Sequence, residues 1–126
     1  MSNDFAKVFE RLTGILRKQT GALQVTEDTE RKFCMEGGIH PRSRTPMPVA
    51  WVEIGKGYVS YHLMPVYGCP KLVEGMSERL RGRMQGKSCF NFKTVDEELF
   101  TELERVTREG IAMFARGGWL EKSRAT

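Results

Sequence analysis

The clearest pattern lies near the N-terminus. Phe5, Val8, Phe9, Leu12, Ile15 and Leu16 recur at helical spacing, with Lys7, Glu10, Arg11, Arg17 and Lys18 on the other faces. This predicts an amphipathic helix capped by Ser2, Asn3 or Asp4 and stopped at Gln19-Thr20-Gly21. Gly14 inside it costs about 1 kcal/mol relative to alanine, an expense that close packing against a neighbour would explain. A second helix is predicted after Thr94-Val95-Asp96-Glu97, which has the form of a capping box. Its apolar face is Leu99, Phe100, Leu103, Val106, Ile111, Met113 and Phe114, and Gly117-Gly118 ends it.

Between the helices the period changes. Val49 to Ile54 and Tyr58 to Met64 are β-branched and aromatic runs joined by Gly55-Lys56-Gly57, the signature of a β-hairpin. Ala50, Val52 and Ile54 share one face and Trp51 the other; Val59, Tyr61 and Leu63 oppose Ser60 and His62. Leu23 and Val25 read as a short strand, and Thr29, Arg31, Phe33 and Met35 as a second. In a last strand Ser88, Phe90 and Phe92 alternate with Cys89 and Asn91. Residues 38–48 are expected to form one long loop, because glycine and proline recur through them. Pro65 should end its strand and Tyr67-Gly68-Cys69-Pro70 should turn the chain. Short helices follow around Leu72-Val73 and after Ser77.

Helix, strands around a hairpin, short helices, strand, helix: this order predicts an α+β domain. It has two layers, an antiparallel sheet with the N- and C-terminal helices packed on one face. The 126 residues fit a single domain with an ordered core of about 4–118. With 40% hydrophobic and 29% charged residues, the chain is neither disordered nor membrane-like. Its polar start is unlike a signal peptide, so a cytoplasmic location is expected, with no membrane partner. Three cysteines, Cys34, Cys69 and Cys89, give no disulfide framework. Cys34 and Cys89 read as small buried hydrophobes, and Cys69 as the more accessible thiol.

Three constellations could carry chemistry. Ser60 and His62 share a strand face, which Ser88 and Tyr67 could approach. No Gly-x-Ser-x-Gly elbow supports a nucleophile, so no catalytic residue is assigned. Trp51, Ser60, His62, Tyr67 and Cys69 are instead expected to wall a ligand pocket beside the 38–48 loop. The acidic residues Asp96, Glu97, Glu98 and Glu102 of the last helix offer oxygen ligands for a hard cation such as iron. Arg79, Arg81, Arg83, Lys87 and Lys93, opposed only by Glu78, form a basic segment that could attract phosphate. No nucleic-acid signature accompanies it.

The run Lys56-Gly57-Tyr58-Val59-Ser60-Tyr61-His62-Leu63-Met64-Pro65-Val66-Tyr67, with Arg83-Met84-Gln85-Gly86-Lys87-Ser88-Cys89-Phe90-Asn91-Phe92-Lys93, resembles the YdhG-like family of small bacterial proteins. The likeness spans residues 20–115. It implies a compact α+β fold with an antiparallel sheet and no established catalytic motif. One branch of the family is described as a frataxin-like iron chaperone for iron–sulfur assembly. Frataxins are acidic, whereas this chain has a formal net charge of +4. The expected function is therefore a non-enzymatic accessory domain that binds a small ligand or a protein partner. Iron delivery and weak phosphate or nucleic-acid binding are the alternatives.

Overall fold

A computed structural model of the chain describes residues 2–19, 23–39, 46–86 and 88–116. Helix α1 (Ser2–Arg17) leads into strands β1 (Gln24–Asp28), β2 (Lys32–Ile39), β3 (Pro46–Ile54) and β4 (Val59–Leu63). Short helices α2 (Met64–Gly68), α3 (Pro70–Glu74) and α4 (Glu78–Arg81) follow, then β5 (Cys89–Phe92) and helix α5 (Glu97–Arg116). The five strands pair antiparallel in the order β1-β2-β3-β4-β5. The architecture is the expected α+β one.

Register explains the core. Phe33 lies opposite Val52, Val52 opposite Tyr61, and Tyr61 opposite Phe90. Met35, Ala50 and Leu63 make a parallel row. All of these are buried. Helix α1 packs on β3 and β4, presenting the buried Val8, Leu12, Ile15 and Leu16. Helix α5 packs against α1 and the three short helices, and its Phe100 meets Phe92 edge to face at 5.0 Å. Ion pairs Arg11–Glu97 and Lys18–Glu104 join the two long helices at the surface. Exposed pairs of this kind contribute less than about 1 kcal/mol each, so the apolar faces hold the layers together.

Several local expectations are corrected. Residues 29–31 belong to a turn, because the Thr29 hydroxyl accepts hydrogen bonds from the amides of Arg31 and Lys32 and curls the chain there. The described ends of the expected 38–48 loop are strand. β2 continues through Gly37 to Ile39, and β3 begins at Pro46, opposite Ile39. Register shifts around Glu36, and Gly37 at φ 142°, let the strand absorb residues that would otherwise break it. Residues 40–45 of that loop lie outside the described ones, as do Lys87 and Gly117-Gly118.

β4 ends at Leu63, just before Pro65, as expected. Pro65 occupies the first turn of α2, and only Cys69 separates α2 from α3, so Tyr67 to Pro70 is no simple chain reversal. The capping box is not formed either. Asp96 accepts from the amide of Leu99 and starts α5, while the Glu97 carboxylate turns away to Arg11. Gly14 meets nothing: a Cβ built there has no neighbour within 4 Å.

Candidate functional site

The sheet face opposite the helices carries a cross-strand row. Cys34, Trp51, His62 and Cys89 lie opposite one another on β2, β3, β4 and β5. Beside them runs a second row of Lys32, Glu53, Ser60 and Asn91. The two rows alternate with the core positions, so they sit on the other side of the sheet. None of these residues belongs to the buried cluster that the inner face shares with the helices. The rings of Trp51 and His62 stack with centroids 4.4 Å apart and planes 11° apart. The Cys89 sulfur lies 3.6 Å from His62 Nε2 and 3.5 Å from the Asn91 side-chain oxygen.

Burial decides the protonation of this row. It pushes the His62 imidazole below its ordinary value, with Lys32 adding to the shift and Glu53 opposing it. Burial also pushes up the Cys89 thiol and the Cys34 thiol, the latter aided by Glu36 and Glu27 and opposed by the Thr26 hydroxyl and Lys32. A cysteine–histidine nucleophile needs the opposite shifts, a thiolate beside an imidazolium. Here both partners are held neutral. The Ser60 hydroxyl donates to the Glu53 carbonyl at 3.3 Å rather than to His62. The row is chemically quiet, with soft donors and an aromatic plane.

These shifts give a pH prediction. A histidine whose folded value lies below the ordinary 6.5 adds stability that is fully present above that pH and is lost as pH falls through the folded value. Denaturant unfolding at about pH 7.5 and about pH 5.5 should show the native protein losing stability on acidification. His62→Gln should lose less. Equal losses in both proteins would show that the imidazole is not desolvated in the folded state.

The structure brings Trp51, Ser60 and His62 together but separates Tyr67 and Cys69 from them. Tyr67 is exposed on α2 and lines a cleft of about 730 Å³ with Pro70, Val73, Arg81 and Met84. The Cys69 thiol donates to the Met113 sulfur at 3.1 Å, inside the helical layer. It is half-buried and so more accessible than the buried Cys34. Cys89 is the correction: it is half-buried on the outer face, not a core hydrophobe. The parity of β5 already carried that signal, since Cys89 and Asn91 alternate with the buried Phe90 and Phe92.

The acidic residues of α5 are already engaged. Asp96 and Glu98 both hold Arg79, Glu97 holds Arg11, and Glu102 accepts from the amide and hydroxyl of Ser77. Among the described residues no group of three or more His, Cys, Asp or Glu side chains could hold a metal ion. An iron ion at the start of α5 would have to displace arginine partners.

The basic segment does not converge either. Arg79 and Arg83 line a small cleft of about 410 Å³ together with Glu78 and Asp96, while Arg81 lines the Tyr67 cleft. Lys93 is exposed beyond the end of β5.

A third cleft, of about 690 Å³, was not foreseen from the sequence. It opens between α1 and the two turns that flank β2 and β3, and Thr13 lines it. No helix among the described residues is long and apolar enough to cross a membrane. No family model, curated protein or solved structure matches the chain.

Proposed function

We propose that this chain is a non-enzymatic binding domain that engages a protein partner through the face of its sheet opposite the core. The observation that carries this reading is the Trp51–His62 stack, half-buried at the middle of a four-strand row. Glu27, Glu36, Glu53 and Lys32 surround it, each close enough to influence the Cys34 thiol or the His62 imidazole. An aromatic centre with a charged rim is the usual anatomy of a protein interface. A pleated surface suits a protein better than a small molecule, which needs a concave site. Three glutamates against one lysine favour a partner surface with an excess of basic charge.

The neutral Cys89–His62 pair supports binding over catalysis. The resemblance to YdhG-like proteins, for which no catalytic motif is established, points the same way. A cytoplasmic location belongs to this proposal.

The test is differential retention. Immobilised wild-type protein, Trp51→Ala, Glu53→Lys and a control altered on the helical side, Arg108→Ala, are exposed to the same cell lysate. Proteins held by the wild type and by Arg108→Ala should be lost from both sheet variants. Truncating a central tryptophan typically costs about 2 kcal/mol or more, roughly thirtyfold in affinity. Glu53 is exposed, so Glu53→Lys tests the surface without disturbing the core. Identical retention by all four proteins, or none above background, would rule out this face as the interface.

A further inference from the structure

The α1 cleft has three features that together specify a ligand. Its walls are apolar, with Phe5 and Phe9 from α1 and Ile54 from the end of β3. Its lining carries charges of both signs: Glu10 on the helix, and Glu30 and Arg31 in the turn between β1 and β2. Among the described residues none of these three has an ion-pair partner. The Arg31 guanidinium makes only a long contact, 3.4 Å, to the carbonyl of Ile54. By contrast, the neighbouring Arg17 is committed to both oxygens of Asp28 and lies 4.6 Å over the Phe33 ring. The third feature is Thr13. It is 4% exposed, and its hydroxyl is buried with no hydrogen-bond partner. Buried hydroxyls are nearly always paired, because an unpaired one costs roughly the full desolvation of the group.

We infer that the cleft between α1 and the β1–β2 and β3–β4 turns is a binding site for a small zwitterion with an apolar side chain, the chemistry of a free aliphatic or aromatic amino acid. The carboxylate meets Arg31, the ammonium meets Glu10 and Glu30, and the side chain lies on Phe5, Phe9 and Ile54. Rotation of Thr13 about χ1 presents its buried hydroxyl to the ligand when the site fills. A volume of about 690 Å³ admits a ligand of this size. The site is separate from the sheet face around Trp51, so either can fail without the other.

The experiment uses the full chain and L-phenylalanine as probe, followed by NMR shifts of Phe5, Phe9 and Ile54. Two analogues each lack one charge: 3-phenylpropionate and phenethylamine. L-Phenylalanine should bind more tightly than both. Arg31→Gln, a surface change, should weaken it by roughly fivefold or more, the loss of one charge-assisted hydrogen bond. Thr13→Val should raise the melting temperature of the free protein, because it removes an orphan hydroxyl, and yet weaken binding. A gain in stability coupled to a loss of affinity marks a polar group kept for a ligand. No shifts at about 10 mM probe, a millimolar-or-weaker regime, would overturn the inference. So would equal binding of the three compounds, or unchanged affinity in either variant.

Discussion

Thr107→Val is expected to destabilise the protein by more than Tyr61→Phe, although each change breaks the same hydrogen bond. The two side chains meet at 2.5 Å in the centre of the molecule, and both are fully buried. Thr107 donates its own proton to the Leu103 carbonyl at 2.8 Å. Tyr61 is therefore the donor between the two hydroxyls. Burial holds the phenol far above its ordinary value, with Glu104 adding to the shift and the Thr107 hydroxyl opposing it, so it stays a neutral donor. Tyr61→Phe removes the donor and leaves Thr107 paired, at about 1 kcal/mol. Thr107→Val leaves a buried phenol with nothing to donate to, and such a group costs about 1–3 kcal/mol. Urea unfolding of the two variants decides the matter. A Tyr61→Phe loss equal to or larger than that of Thr107→Val would mean that the bond runs the other way.

Two mid-helix glycines should respond to alanine with opposite signs. At Gly110 in α5, an added Cβ would stand 2.9 Å from the Cβ of Pro65 and 3.2 Å from a methyl of Leu72. The first neighbour belongs to a ring fixed to the α2 backbone and cannot swing aside. Overpacking of this kind costs about 1–3 kcal/mol, and the helix-propensity gain of about 1 kcal/mol offsets only part of it. Gly110→Ala should therefore lower stability by up to about 2 kcal/mol. At Gly14 an added Cβ meets nothing within 4 Å, so Gly14→Ala should raise stability by about 1 kcal/mol. Thermal melts of both variants check this. The same sign in both would show that helix propensity, not the contact with Pro65, governs α5.

The glycines show where a linear reading stops. Gly14 interrupts a strong apolar pattern, which predicts a close approach there. The chain instead makes that approach at Gly110, against a proline 45 positions earlier in sequence. A helix pattern states which face is apolar; it does not state which turn of which neighbour comes nearest. Thr107 carries no signal in the sequence for the same reason. It falls among charged residues on α5, and only the position of Tyr61 on β4 gives its hydroxyl a purpose. The cleft beside Thr13 is likewise assembled from α1 and two turns, and no short stretch of sequence contains it.

Periodicity alone determined the two long helices, the hairpin, β5, and which side of β3 and β4 faces the core. Those features depend on residues within a few positions of one another, and burial of apolar surface selects the same face wherever it is sampled. Tertiary structure decided what stands beside what. Strand register aligned Cys34, Trp51, His62 and Cys89 into one row, and helix packing carried Tyr67 and Cys69 away from it. Bulges around Glu36 let strand extend into both described ends of an expected loop. Arginines distant in sequence took up the carboxylates at the start of α5. Each of these outcomes rests on pairing between distant segments, which is fixed only when the layers close on a shared core.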